Sequence, residues 1–117
     1  MKFTTSSMDF SRLPEAAKAS ASSRYADAAA GDGFAYTLTL EGALVSRRPI
    51  SAPAYLCFWS VDAFHIEADS YDVVDMAFFT DDLCYDDQDR AAISALAVGA
   101  RWSSPDQGDW HTVERLA

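Results

Sequence analysis

Between Pro49 and Asp89 of this 117-residue chain lie ten carboxylates and no Lys or Arg. They are Asp62, Glu67, Asp69, Asp72, Asp75, Asp81, Asp82, Asp86, Asp87 and Asp89. Carboxylates can bind cations, exchange protons, or present fixed negative charge, and spacing decides among these uses. Asp82, Cys84 and Asp86 echo the first, third and fifth positions of a calcium loop. The echo then fails. Asp87 stands where glycine makes the sharp turn, and Ile93 where glutamate closes the site. General acid–base work needs one carboxylate desolvated beside another, and no pair stands out among so many. The third use is left: an extended negative field that calls for a basic partner, cations or solvation.

Other chemistries find less support. A Cys57/His65 nucleophilic pair needs an imidazolium to stabilise the thiolate. The surrounding acids push the thiol the other way, and the register that would bring the two together is not specified. His65 and His111 are the only histidines, and a metal site built from them with a nearby Asp has no supporting spacing. Gly31-Asp32-Gly33 lacks the lysine and the preceding strand of a phosphate loop, and no GxSxG, HExxH or CxxC occurs. No enzyme activity, cofactor or metal is expected.

Charge is unevenly placed. Residues 1–48 hold six bases against five acids, and residues 49–117 hold three bases against thirteen acids. The whole chain carries −9. Direct binding to nucleic acid draws on a basic footprint, so neither nucleic acid nor an anionic membrane is an expected partner. Fourteen of the eighteen acids are Asp and only two residues are Lys, a bias that salt adaptation of the host would also produce. The apolar half of the composition, with seven Phe, five Tyr and three Trp, demands a real core. The length suits one domain over 1–117. MKFTTSSMDF lacks the apolar region of a signal peptide, and no run is long enough to span a membrane. Cys57 and Cys84 read as thiols in a reducing cytoplasm.

The positioning elements follow from periodicity. Residues 1–10 form a short strand or a loose arm. Ser11 caps a helix that has Pro14 and Glu15 in its first turn, with an apolar stripe of Leu13, Ala17, Ala21 or Ala28, and Tyr25. Gly31-Asp32-Gly33 stops it. FAYTLTLE, 34–41, alternates cleanly and reads as a strand. Gly42 turns it into a partner at 43–45, and 46–53 is a connection with Pro49 and Pro53. Residues 55–61 are apolar on both faces and read as a central strand, followed by a strand over 64–67. Residues 70–79 favour a strand over a helix, and 80–87 a loop. Asp86 or Asp87 caps a helix that ends at Gly99. A turn over 103–108 leads to a last strand over 110–116. The expected fold is α+β: one antiparallel sheet of four to five strands with one or two helices on one face.

Small size, acidity, folded character and absent catalytic motifs together resemble the phage- and plasmid-borne inhibitors of bacterial defence systems, some of which mimic nucleic acid. The likeness is one of kind, without a shared motif. It implies a nuclease or DNA-surveillance complex as partner. The expected function is therefore a noncatalytic inhibitor that presents an acidic, DNA-mimicking surface to a basic channel. Asp69, Asp72, Asp75, Asp81, Asp82, Asp86, Asp87 and Asp89 would make the contacts, with Tyr71 and Tyr85 as aromatic anchors. The alternatives are an adaptor, immunity protein or complex subunit with an aromatic interface, and a small enzyme of unrecognised class.

Overall fold

The computed structural model describes residues 5–64, 66 and 68–117. It is a mixed α+β fold, but its strands divide into two antiparallel sheets rather than one. The first sheet has the order β1-β2-β3, from β1 (Thr5–Asp9), β2 (Phe34–Thr39) and β3 (Leu44–Pro49). The second has the order β5-β4-β7-β6, from β4 (Tyr55–Trp59), β5 (Ser70–Val74), β6 (Arg101–Ser104) and β7 (Gly108–Arg115). The helices are α1 (Glu15–Arg24), the single turn α2 (Val61–Phe64) and α3 (Asp87–Ser94).

β2 is the alternating strand the sequence predicts. Ala35, Tyr36 and Leu38 are buried on it. α1 brings Ala17 and Ala21 into the same core, on the predicted stripe with Leu13. Its start is one turn later than expected. Ser11 belongs to a 3-10 turn, Phe10–Arg12, and its hydroxyl donates to Asp9. Ala-rich turns need little capping help, since alanine loses no side-chain entropy in a helix. β3 runs through Arg47, Arg48 and Pro49, where a connection was expected. Arg47 explains the extension. Its guanidinium stacks 4.1 Å from the Tyr25 ring centroid and 3.9 Å from that of Phe34, and pairs with Asp27 at 2.8 Å. Those contacts hold its backbone in register opposite Tyr36. Pro49 is tolerated because β3 is an edge strand.

β4 lies between β5 and β7, and this accounts for its apolar faces. Leu56 joins the first core with Met8, Leu13 and Val73. Tyr55, Cys57 and Trp59 join a second core with Phe79, Tyr85, Ile93 and Val113. The strand expected over 64–67 is not formed at its start. Ser60 Oγ accepts the Asp62 amide at 3.1 Å, and Asp69 Oδ1 accepts the Val61 amide at 2.9 Å. Those acceptors turn 61–64 into α2. His65 and Glu67 lie outside the described residues. Residues 70–79 split between the two expectations. β5 ends at Val74, and Asp75 accepts the Ala77 amide at 3.0 Å to begin a 3-10 turn, Met76–Phe78. β6, too short to stand out by alternation, is held by pairing with β7.

The sheets meet where β1 crosses the outer edge of β5. The Tyr71 amide donates to Ser6 Oγ at 3.1 Å and the Val73 amide to Ser7 Oγ at 2.8 Å. Ser7 Oγ in turn donates to Asp72 Oδ1 at 2.8 Å. Both serines are buried. Replacing Ser7 with alanine leaves the Val73 amide without its acceptor, at a cost of about 1–3 kcal/mol. Urea unfolding of Ser7→Ala is expected to show that loss of stability.

Candidate functional site

The acidic segment is the cover of the second core. Phe79, Tyr85 and Ile93 point inward from it, with Met76 and Phe78 half-buried beside them. Asp75, Asp81, Asp82, Asp86 and Asp87 are exposed on its outer side. The interleaving of acids and aromatics in the sequence is thus the record of one segment with a filled inner face and a solvated outer face.

Four of the eight carboxylates in 69–89 also shape the backbone. Asp69 caps α2 and Asp75 caps the following turn. Asp86 and Asp89 form a reciprocal capping box at the start of α3: Asp86 accepts the Asp89 amide at 2.8 Å, and Asp89 accepts the Asp86 amide at 3.1 Å. Asp81 and Asp82 open a 3-10 turn, Asp81–Leu83, that ends on Cys84 in the left-handed region at φ 71°. The Asp82 side chain makes no hydrogen bond or ion pair among the described residues. The starts of α2, of the Met76–Phe78 turn and of α3 have amides without internal partners, and an aspartate oxygen supplies what is missing, whereas the Asp81–Leu83 turn has no side-chain cap.

Arg90 was not among the expected site residues. It pairs with Asp81 at 3.0 Å and with Asp87, and donates to the Tyr85 carbonyl at 2.7 Å. Asp87, and then Asp81, raise its already high pKa. Its spacing of three from Asp87 on a helix is the signal that identifies the contact from sequence. Residues 69–90 nevertheless carry eight carboxylates against this one guanidinium, a net charge of −7.

The expected anchors sit elsewhere. Tyr85 is only 5% exposed and belongs to the second core. It is corrected from a surface anchor to a core residue because its ring fills space against Phe79, with centroids 5.0 Å apart, and its hydroxyl reaches His111. Tyr71 stands on the opposite face of the second sheet, against Phe58. Asp72 is half-buried and engaged by Ser7. The exposed apolar residue on the cover is Leu83, beside Asp81 and Asp82.

The catalytic alternatives can be located as well. Cys57 is fully buried, and burial first, then Asp72, holds its thiol protonated well above the ordinary range. The other half of that pair, His65, lies outside the described residues. Among the described residues no three His, Cys, Asp or Glu side chains are grouped to hold a metal ion, and no helix is long and apolar enough to cross a membrane. No protein-family model, curated protein or solved structure matches this chain.

His111 is buried among Trp59, Phe64, Tyr85 and Trp102. Its Nδ1 lies 2.8 Å from the Phe58 carbonyl, which can only accept, so Nδ1 carries the proton. Nε2 then accepts from the Tyr85 hydroxyl at 2.6 Å. Burial lowers the His111 pKa, outweighing the Phe58 carbonyl and the Asp89 charge, which raise it. A base with a depressed folded pKa is more readily protonated when unfolded, at about 6.5. Its contribution is fully present above that pH and is lost as pH falls below it. The drop in melting temperature between about pH 7.5 and pH 5.5 is therefore expected to be smaller in His111→Gln than in the natural chain.

Proposed function

We propose that this protein is a noncatalytic inhibitor that acts in the cytoplasm by presenting the acidic cover to the basic nucleic-acid site of a larger protein. One observation carries the reading: the fold needs acceptors at these turns, but it does not need their charge. Asparagine and serine cap about as well as aspartate. The helix dipole favours an acid only modestly, and only within the first turn. Yet the residue that caps is an aspartate at each of Asp69, Asp75, Asp86 and Asp89, and Arg90 is the one base paired within the segment.

Capping also supplies rigidity. A carboxylate that accepts one amide keeps its charge and has an oxygen left for a partner. Its position is set by the backbone it caps, so less ordering entropy is lost on binding than by a flexible acidic tail. A basic channel built for phosphates would meet charges already in place, and their summed field speeds the encounter.

Asparagine separates charge from fold. In Asp75→Asn/Asp82→Asn/Asp86→Asn/Asp87→Asn the caps persist while four charges go. The natural chain is expected to capture a nucleic-acid-binding protein from host lysate at low salt, to lose it as salt rises from about 50 to about 200 mM, and to be displaced from it by duplex DNA. The fourfold variant is expected to bind roughly tenfold or more weakly, with a flatter salt response. Unchanged binding with an unchanged salt slope would refute the mimicry.

Trp110 favours a second reading, that of an adaptor or complex subunit with an aromatic interface. It is 52% exposed on β7, away from the acidic cover. In that case Trp110→Ala removes the captured partner and the asparagine variant retains it.

A further inference from the structure

The second sheet has a face that the first core covers only in part. At the Leu56–Val73 row the face is closed by the packing of Met8 and Leu13. One row further along, Phe58, Tyr71 and Thr112 form the floor of a cleft of about 590 Å³. This size lies within the range of small-molecule sites. The Phe58 and Tyr71 ring centroids are 5.1 Å apart with their planes tilted by 41°, so the floor offers two adjoining aromatic rings. Arg12 enters from the turn after β1, Arg101 from edge strand β6, and Glu114 from β7 lies between them.

The two arginines are not equivalent. Arg12 is spent within the protein: Nη1 reaches both Asp9 oxygens at 2.9 Å, and Nη2 donates to Glu114. The Arg101 side chain is 62% exposed, and its one partner among the described residues is Glu114 at 3.7 Å, beyond hydrogen-bond length. Its planar set of N–H donors is open. The Tyr71 hydroxyl makes no hydrogen bond among the described residues, and both guanidiniums are near enough to lower its pKa against the larger effects of burial and Asp69, which raise it.

We propose that this cleft binds a small aromatic monocarboxylate, with its ring on Phe58 and Tyr71 and its carboxylate on Arg101. The open donors of Arg101 set the class. Arg101 offers a bidentate donor fork that suits a carboxylate. Glu114 and Asp109 also line the cleft and disfavour every negative charge that does not itself meet Arg101, so a single carboxylate suits the site better than two. The incoming carboxylate displaces no Arg101 hydrogen bond, because Glu114 stands too far away to make one. The site lies on the opposite face of the sheet from the acidic cover and does not depend on the function proposed for that cover.

Three probes with one ring and different charges test it: 4-hydroxyphenylacetate, 4-hydroxyphenylacetamide and tyramine. Calorimetry and the aromatic resonances of Phe58 and Tyr71 report binding. The carboxylate is expected to bind and to shift both rings, and the amide and the amine to bind at least about tenfold more weakly, as expected for loss of a charge-assisted hydrogen bond. Arg101→Gln, on an exposed edge position, is expected to keep its circular dichroism and lose the carboxylate preference. Equal binding of the three probes, absence of ring shifts at millimolar concentration, or unchanged carboxylate affinity in Arg101→Gln would each overturn the proposal.

Discussion

Two serine hydroxyls join the halves of this molecule. β5 is an edge strand, and its outward amides need acceptors. A further strand could have supplied them by continuing the sheet. Instead β1, already paired to β2, crosses the edge and offers Ser6 and Ser7. A hydroxyl can accept and donate at once. Ser7 uses both capacities, taking the Val73 amide and giving its proton to Asp72. The two sheets are therefore locked without being continuous. The lock also decides which face of β5 belongs to which core, because one residue of slip would exchange Val73 with Asp72.

Everything on the functional side follows from that orientation. With Val73 turned to the first core, the opposite face of the sheet needs a cover, and the segment after β5 supplies it. The cover must fill a core with bulky rings while it turns sharply several times. Rings go inward, and short polar side chains close the turns. Aspartate meets the second demand and adds charge that turning does not require. The same rows leave Phe58 and Tyr71 on the other side, where Tyr71 packs at the margin of the first core and a cleft opens.

A buried polar pair sits at the centre of the second core. His111 and Tyr85 satisfy each other, and the Phe58 carbonyl fixes the tautomer. A buried histidine without both partners would cost several times what such a bond contributes. The pair ties the cover to β7 and explains why Tyr85, set in a run of aspartates, is drawn inside.

Local pattern by itself determined much of this protein. The alternation of β2, the alanine stripe of α1, the two apolar faces of β4, the Asp86 cap of α3 and the acidity of 69–89 all follow from the nearest few residues, since propensity, capping and periodicity act over that range. Tertiary structure alone decided that there are two sheets, that Tyr71 and Tyr85 face opposite ways, that β6 is a strand, and that Arg101 and Phe58 share a cleft. Those outcomes hang on contacts such as Ser7 with Val73, 66 residues apart in the chain. A hydroxyl carries no mark of which distant amide it will meet, so no local pattern could announce them.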